Sequence, residues 1–339
     1  MLLAAHQLAS LSIAELGNDH PMTTTIKSFV RTNCIGCGCE GSIIYSGLSD
    51  RLFGAPGIWG TRKCSNANCG MAWLDPLPET AEIHKLYQAY WTHGHPGTVP
   101  AANPEISSLG KRQLRRFLRY VLPWRRYALQ SDSRYLEGMK PGRLLDVGCG
   151  MGEFAAGMAK LGWDAYGIDF DAAAISVAER QTGLKVEIGS LAEQNYPSES
   201  FDAITMSNVI EHVPDPVETF DECFRVLRKG GRLVIITPNI NSSGHNIYGK
   251  NWRGLEVPRH LYLFSIQSLK HFARKAGFFE YQAFTSAGAV QSMLSSSIEI
   301  ANKNGEIADA NVVLSANLEK IAVMMGRQCG EWAVLVADK

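Results

Sequence analysis

The sequence predicts an α/β fold, in which parallel strands alternate with helices, preceded by a small cysteine-rich module. Three observations predict it. A glycine turn joins a short apolar strand to a helix near position 150, strand and helix patterns then alternate as far as position 236, and five of the eight cysteines lie between positions 34 and 69. Strands that alternate with helical patterns indicate βαβ units and a parallel sheet.

The glycine turn follows the first predicted strand of the α/β part. Its residues are Leu144-Leu145-Asp146-Val147-Gly148-Cys149-Gly150-Met151-Gly152-Glu153. Glycine lets the backbone turn sharply and approach a ligand closely, and the helix that follows points unpaired N–H groups at that ligand. The spacing is G-x-G-x-G, whereas dinucleotide-binding enzymes have G-x-G-x-x-G, which disfavours NAD.

Asp169 ends the second predicted strand, residues 164–168, after a helix at 153–161. It lies about 20 residues beyond the turn, where α/β nucleotide sites hold a ribose diol. A carboxylate accepts hydrogen bonds from both hydroxyls of such a diol. The alternative role, capping the next helix, suits Asp171 better.

The remaining units follow in order. We predict helices at 172–182, 217–228 and 266–276, the last capped by Ser265, and strands at 185–188, 201–208, 232–236 and, as the final edge strand, 330–336.

Together, Asp146, the G-x-G-x-G turn, Asp169 and this order of elements resemble class I S-adenosylmethionine (SAM) dependent methyltransferases over residues 142–338. The resemblance implies a Rossmann-like three-layer sandwich around a mostly parallel seven-stranded sheet, with SAM as cofactor. Ser190 departs from the acidic residue that many relatives have near the adenine, and Cys149 suits a small filler in the turn. The implied cofactor-binding residues are Asp146, Gly148, Cys149, Gly150, Gly152, Asp169, Phe170, Ser190, Leu191 and Asn208.

Candidate acid/base residues follow the fourth strand and precede the last predicted helix. His212 is the first candidate for a general base because its unperturbed pKa lies near neutrality. A structural or cofactor-shaping role is the alternative, since Glu-His is frequent here in the family. His260 and Tyr262 are further candidates, with structural hydrogen bonding as the alternative for His260.

Two later segments surround this region. The polar loop 237–253, with His245, Tyr248 and Trp252, is expected to help form the acceptor pocket. Residues 288–327 form a predicted helical insertion, whose apolar face indicates core packing or a homodimer contact. Its apolar residues are Met293, Leu294, Ile298, Ile300, Leu314, Leu318, Ile321, Met324 and Met325.

The cysteine-rich module contains C-x2-C at Cys34 and Cys37 and C-x4-C at Cys64 and Cys69. Two such knuckles present four thiolates tetrahedrally to zinc. Four thiolates close the shell, so the predicted zinc is structural. Free structural cysteines and redox or cluster chemistry are the alternatives, and Cys39 is interpreted as a non-ligand.

The module resembles the front of a bacterial subgroup of SAM methyltransferases that carry a zinc-ribbon-like segment. Many members act in sugar or secondary-metabolite pathways. We therefore divide the chain into an arm (1–28), a zinc-ribbon-like module (29–79), a linker and helical region (80–140) and a methyltransferase domain (141–339). The module is expected to cover the substrate side or build a subunit contact.

A basic amphipathic helix is predicted at 111–126, after a Gly/Pro-rich linker with His93 and His95. Its apolar stripe indicates packing on the catalytic domain, with a solvated basic face. The alternatives are a site for a phosphorylated acceptor, peripheral contact with an anionic membrane and RNA backbone contact.

Composition bounds the function. The 339 residues carry a formal net charge of zero, with 45% hydrophobic and 19% charged residues. Zero net charge argues against broad nucleic-acid binding. We expect no transmembrane segment, no signal peptide and a cytoplasmic protein. The sequence thus predicts a SAM-dependent methyltransferase of a small molecule, and it favours a sugar, nucleotide-sugar or secondary metabolite as the acceptor. A zinc-ribbon RNA methyltransferase and a non-catalytic protein of the same fold are the alternatives.

Overall fold

A computed structural model describes residues 26–87, 133–306 and 311–339. Residues 1–25 of the predicted arm (1–28) lie outside the described residues, as do the linker with His93 and His95 and the basic helix 111–126. No helix in the described ranges is both long and apolar enough to span a bilayer.

The strands and helices are numbered in chain order. The strands are β1 (Ser28–Phe29), β2 (Gly41–Leu48), β3 (Trp59–Cys64), β4 (Ala72–Asp75), β5 (Leu77–Pro78), β6 (Arg143–Val147), β7 (Asp164–Asp169), β8 (Lys185–Ile188), β9 (Phe201–Ser207), β10 (Leu227–Pro238), β11 (Tyr262–Leu263), β12 (Glu280–Ser286) and β13 (Trp332–Asp338). The α-helices are α1 (Glu153–Ala159), α2 (Ala172–Thr182), α3 (Pro216–Val226), α4 (Ser243–Tyr248), α5 (Ile266–Ala276), α6 (Val290–Lys303) and α7 (Val312–Met324). A 3-10 helix, Thr80–Tyr87, leaves the cysteine module.

The main sheet has seven strands in the order β12-β13-β10-β9-β6-β7-β8. The five strands from β10 to β8 are parallel, while β13 runs antiparallel to both β10 and β12. This mixed Rossmann-like sheet confirms the predicted fold class. Strand β6 lies inside it, where Leu144, Leu145 and Val147 are buried, as the apolar sequence of a parallel strand requires.

One strand prediction was wrong. Residues 330–336 were expected to form an edge strand, but β13 inserts between β10 and β12. Ala333, Val334 and Leu335 are all buried there. Burial on both faces suits an interior position, and the edge next to β13 is formed by β12.

A second sheet joins the cysteine module to the α/β part. Its order is β11-β4-β3-β2, and β11 comes from the segment just before α5. Tyr262 of β11 pairs with Trp73 of β4, and both side chains are buried. The knuckle formed by Cys34 and Cys37 also packs tightly against α5. A Cβ added to Gly36 in this knuckle would lie only 2.7 Å from the Phe272 ring of α5.

Two helix caps match their predictions. Ser265 caps α5 through a capping box with Ser268. Asp171 caps α2, because its carboxylate accepts a hydrogen bond from the amide of Ala173.

The helical insertion packs in two different ways. On α6, Met293 and Leu294 are buried, as predicted. Helix α7 instead packs through Ala316 and Glu319, which are buried. Of the two expectations for the insertion, core packing is therefore wrong for the apolar residues of this helix and its end, and a homodimer contact stays a prediction. The exposed residues are Leu314, Leu318, Ile321, Met324 and Met325.

Candidate active site

The glycine turn between β6 and α1 has three left-handed glycines, with φ of 67° at Gly148, 53° at Gly150 and 76° at Gly152. A Cβ at Gly148 would lie 2.3 Å from the Val209 side chain, whereas none of the atoms described lies within 4 Å of a Cβ at Gly150. The first glycine therefore permits close packing, and the second leaves an open face that a ligand can approach.

Asp169 stands at the carboxyl end of β7, beside this turn. Its Oδ2 accepts a hydrogen bond from the Gly150 amide at 2.7 Å, and its Oδ1 accepts one from the Asp171 amide at 2.9 Å. A carboxylate has about four lone-pair sites, so two amide donors leave capacity to accept from ligand hydroxyls.

Asp146 lies on β6 and is completely buried. Its Oδ1 accepts a hydrogen bond from the Thr205 hydroxyl at 2.8 Å and pairs with the Arg134 guanidinium. Its Oδ2 is buried with no hydrogen-bond partner among the described residues. Burial raises the pKa of the Asp146 carboxyl, against the opposing charge of Arg134. A ligand that donates a hydrogen bond would satisfy this oxygen.

Arg134 was missed by sequence reasoning. Its guanidinium lies 3.8 Å from the centroid of the Phe154 ring, at the start of α1, as well as against Asp146. In the sequence, Arg134 is a single arginine that precedes β6, and no recognisable motif surrounds it. Only the tertiary contact identifies it.

The ends of β8 and β9 carry two more predicted residues. The amide and hydroxyl of Ser190 both donate to the Glu193 carboxylate, at 2.7 and 2.8 Å. Glu193, also missed from sequence, thus places an acidic group beside Ser190. Asn208 adopts a left-handed conformation with φ of 58°, which is uncommon outside glycine and frequent at functional sites.

Three other predicted residues differ in exposure. Leu191 is buried, and Phe170 is exposed at the end of β7. Cys149 is buried in the turn, and a Cβ at Gly167 would lie 2.5 Å from its sulfur. Burial raises the pKa of the Cys149 thiol to about 12, so it stays protonated.

His212 and His260 lie together beyond the carboxyl end of β9, with ring centroids 4.7 Å apart. His212 Nδ1 is 3.1 Å from the Arg259 carbonyl and 2.9 Å from the Tyr87 hydroxyl. Burial lowers the pKa of His212, and it lowers the pKa of His260 to about 3. Both imidazoles are therefore neutral at pH 7.

Residues 112–280 match the family model of a methyltransferase domain. That match coincides with the strand order and glycine turn described above. The chain belongs to the class I SAM-dependent methyltransferases.

Its curated relatives match over a limited stretch. The chain is 37% identical over 118 residues to a ubiquinone biosynthesis O-methyltransferase of Alkalilimnicola ehrlichii. This match covers 32% of this chain and 47% of that protein. It is 41% identical over 107 residues to the Hahella chejuensis protein of the same name, covering 29% and 44%. The chain therefore spans about half the length of the curated relatives it matches.

Among solved structures, the chain is similar to a SAM-dependent methyltransferase of Thermotoga maritima, described as a possible histamine N-methyltransferase. The sequences are 25% identical, the TM-score is 0.46, and the match covers 68% of this chain and 97% of that one.

A buried charge network surrounds the histidines of this methyltransferase. The side chain of Arg259 is fully buried, 2.7 Å from Asp50 and 3.2 Å from Glu256. Glu256 also pairs with Arg253 and lies 3.3 Å from His260 Nε2. Desolvation raises the pKa of Glu256, but its interactions with His260 and with the Arg253 guanidinium outweigh desolvation and lower the pKa to about 2. Sequence reasoning missed the network because Asp50 lies 209 positions from Arg259 and no motif marks Arg253 or Glu256.

A cavity of about 250 Å³ opens beside this network. The β2–β3 loop, the segment after β10 and the end of α6 form its walls. Trp252 and Leu255 supply apolar surface. The polar lining includes Asp50, Arg51, Lys250, Glu256 and Asn304. Lys250 and Trp252 belong to the loop region expected to form an acceptor pocket, whereas the contributions of β2–β3 and α6 were not predicted.

Two other residues named in the sequence analysis, Tyr262 and His245, have fixed hydrogen-bond partners. Tyr262 is buried in β11, donates its hydroxyl to the Pro214 carbonyl at 3.3 Å, and has its pKa raised to about 12 by burial. This contact is structural, so its acid/base role stays a prediction that the geometry does not support. His245 Nδ1 donates to the Ile240 carbonyl at 2.6 Å, which leaves Nε2 to accept from Tyr45.

The two cysteine knuckles converge at one point. The sulfurs of Cys34 and Cys69 are 3.7 Å apart, those of Cys37 and Cys64 are 3.4 Å apart, and all four lie within 4.8 Å of one another. Tetrahedral zinc with Zn–S bonds of about 2.3 Å separates its sulfurs by about 3.8 Å. The spacing of the four thiols is therefore close to that of a zinc shell.

The thiols influence one another strongly. The Cys69 side chain lowers the pKa of Cys34 to about 5, while burial raises the pKa of Cys64 to about 12. Cys39 lies outside the set of four, as predicted from the sequence, although contact with Cys37 raises its pKa.

Proposed function

We propose that this chain catalyses methyl transfer from SAM to a small polar acceptor. The observation that carries the proposal is the open face at Gly150, with Asp146 and Asp169 at the ends of adjacent parallel strands. Ligands bind outside the carboxyl ends of such strands. The family match supports the reaction class.

The residues present fit SAM. In this proposal Asp169 accepts hydrogen bonds from the ribose diol, and the buried Oδ2 of Asp146 accepts from a donor of the methionine portion. Gly148, Gly150 and Gly152 allow close backbone approach, and Asn208 borders the methionine portion. Phe170, Ser190, Leu191 and Cys149 surround the nucleoside, and Glu193 supplies the acidic group that Ser190 lacks.

SAM supplies an electrophilic methyl group when bound, so the protein must orient the acceptor and manage its proton. His212 is our candidate for the general base. The Arg259 carbonyl can only accept, so the ring proton belongs on Nδ1 and the lone pair on Nε2. A neutral imidazole with a free lone pair can hold a proton from an acceptor hydroxyl. His260, packed against the His212 ring, orients it.

We place the acceptor in the cavity beside Glu256. A volume of about 250 Å³ suits a small group rather than a folded RNA, and the mixed charged and apolar lining suits a sugar, nucleotide-sugar or similar secondary metabolite. The names of the curated relatives favour oxygen over nitrogen or carbon as the methylated atom. Zero net charge gives no support to the RNA alternative.

We further propose that Cys34, Cys37, Cys64 and Cys69 hold a structural zinc, with all four positions of the shell filled by protein. We also propose a cytoplasmic location, where a reducing environment favours metal binding by these cysteines over disulfides. We also propose domain boundaries after residues 28, 79 and 140. A homodimer that forms through the exposed apolar face of α7 is a further proposal.

Calorimetric titration with SAM, followed by methyl uptake from labelled SAM into a panel of nucleotide-sugars, phenols and sugar phosphates, tests the function. We expect micromolar SAM binding and transfer to at least one small acceptor. Binding without transfer to any small acceptor, together with transfer to RNA, would reverse the choice of substrate class. Absence of SAM binding would favour the non-catalytic alternative.

A further inference from the structure

A second group of metal-ligating side chains lies apart from the four cysteines. Glu211, His212 and His260 each offer one ligand atom, and these three atoms lie within 4.8 Å of one another. Glu211 and His260 are buried, and His212 is half-buried. The segment after β9 contributes the first two residues, and the segment before β11 contributes the third.

Both histidines have the hydrogen bond that orients a metal ligand. His212 Nδ1 faces the Arg259 carbonyl at 3.1 Å, and His260 Nδ1 faces the Gly254 carbonyl at 2.7 Å. A carbonyl only accepts, so each ring carries its proton on Nδ1 and a lone pair on Nε2. Metal-binding histidines almost always donate their second ring N–H to such a partner.

Two polar atoms of the cluster are placed where a cation could bind them. Glu211 Oε1 is buried with no hydrogen-bond partner among the described residues, while Oε2 accepts from the Thr237 hydroxyl at 2.9 Å. His260 Nε2 lies 3.3 Å from Glu256 Oε2, and with the ring proton on Nδ1 it is the atom that can bind a cation. A buried polar atom without a hydrogen-bond partner or a cation is unfavourable.

We propose that Glu211, His212 and His260 bind a divalent transition-metal ion, with Glu256 as a further oxygen ligand. Two imidazoles and carboxylates suit Zn²⁺, Co²⁺, Fe²⁺ or Mn²⁺. The ligand atoms must close in on binding, since a tetrahedral shell with bonds of about 2.0–2.1 Å separates its ligands by about 3.3 Å.

The proposal of a metal site at Glu211, His212 and His260 rests on these contacts and does not depend on methyl transfer. If the proposed function also holds, the ion lies in the acceptor zone, where a Lewis acid binds an acceptor oxygen and lowers its pKa. In the metal-bound protein His212 Nε2 would be a ligand and no longer a base. The ion would then lower the pKa of the acceptor hydroxyl, and the hydroxyl proton would pass to solvent.

Metal counting on the full chain tests the proposal. The chelator-treated protein is loaded with Zn²⁺, passed through a desalting column and assayed by inductively coupled plasma mass spectrometry. We expect two Zn²⁺ per wild-type chain and one in the double variant Glu211→Gln/His260→Gln. His245→Gln, which removes another half-buried histidine outside the cluster, is the matched control and keeps two.

Co²⁺ provides a second readout that also reports an intact fold. Cobalt at the four cysteines gives thiolate charge-transfer absorption, which we expect in wild type and double variant alike. The variant loses only the weaker visible bands of the nitrogen and oxygen site, with its Co²⁺ affinity there falling more than about tenfold.

One metal per wild-type chain, or two in the double variant, would overturn the proposal and indicate that a protonated His260 pairs with Glu256 instead. A SAM titration on the same samples separates the hypotheses. If the protein binds SAM but only one metal ion per chain, the metal site alone is refuted. If it binds two metal ions per chain but no SAM, the proposed function alone is refuted.

Discussion

Asp169 Oδ2 accepts a hydrogen bond from the backbone amide of Gly150 at 2.7 Å. The end of β7 is thereby fastened to the glycine turn after β6. Because a second amide, that of Asp171, holds Oδ1, the carboxylate is oriented before any ligand arrives. Pre-organisation of this kind lowers the cost of ordering the site on binding.

Asp169→Asn should weaken SAM binding about 10- to 100-fold, because an amide accepts less well from two hydroxyls and charge-assisted hydrogen bonds contribute about 1.5–3 kcal/mol each. Calorimetric titration measures the change in Kd. Asp171→Asn, a substitution in the neighbouring helix cap, is the control and should retain affinity within about twofold. Equal losses in the two variants would contradict a ligand role for Asp169.

Gly150→Ala and Gly148→Ala should separate binding from folding. Both place a side chain at positive φ, which costs about 1–2 kcal/mol. At Gly150 the new methyl enters open space and should mainly reduce SAM affinity. At Gly148 it meets Val209 and should mainly reduce stability. Thermal unfolding and SAM titration of both variants check this division, and a reversed pattern would place the ligand elsewhere.

Cys64→Ser should release the zinc of the cysteine module and lower Tm by about 5 °C or more, because metal-binding energy contributes directly to folding. The module also pairs with β11, so its loss should weaken the region around α5. Cys39→Ser is the matched control and should keep both metal and Tm. Metal analysis and calorimetry measure the two effects, and zinc retained by Cys64→Ser would remove this residue from the ligand set.

Glu319 and Glu331 form a buried acidic pair that makes stability depend on pH. Burial and the charge of Glu331 raise the pKa of Glu319 to about 8, from an ordinary 4.5. The folded state therefore holds a proton that the unfolded state releases. The stability that this proton contributes to the folded state is fully present below pH 4.5 and is lost as pH rises to about 8. The loss in the free energy of unfolding is at most about 1.4 kcal/mol per unit of pKa shift.

Glu319→Gln should remove this part of the pH dependence, so that the variant gains on wild type between pH 5.5 and 8.5. Urea unfolding at the two pH values measures the difference in the free energy of unfolding. Glu299→Gln, at an exposed surface pair with Lys303, should follow wild type. If the free energy of unfolding of Glu319→Gln changed with pH as it does in the wild type, the proton bound by the folded state would reside on another group.

The sequence indicated much of the site because its signals are local. The turn at Gly148, Gly150 and Gly152 needs positive φ at three nearby positions, and only glycine adopts that without strain. Ser265 and Asp171 cap the helices that begin directly after them. Apolar character alone could not tell whether the apolar face of α7 packs on the core or makes a subunit contact, and the tertiary structure leaves that face exposed.

By itself, the sequence determined the α/β fold class, the glycine turn and the two cysteine knuckles, because each depends on residues a few positions apart. Only the tertiary structure decided that β13 enters the sheet between β10 and β12, and that Arg134 meets Asp146. It also decided that Asp50 meets Arg259, 209 positions away. The physical reason is that burial and charge pairing are fixed by packing between distant segments, which no local pattern records.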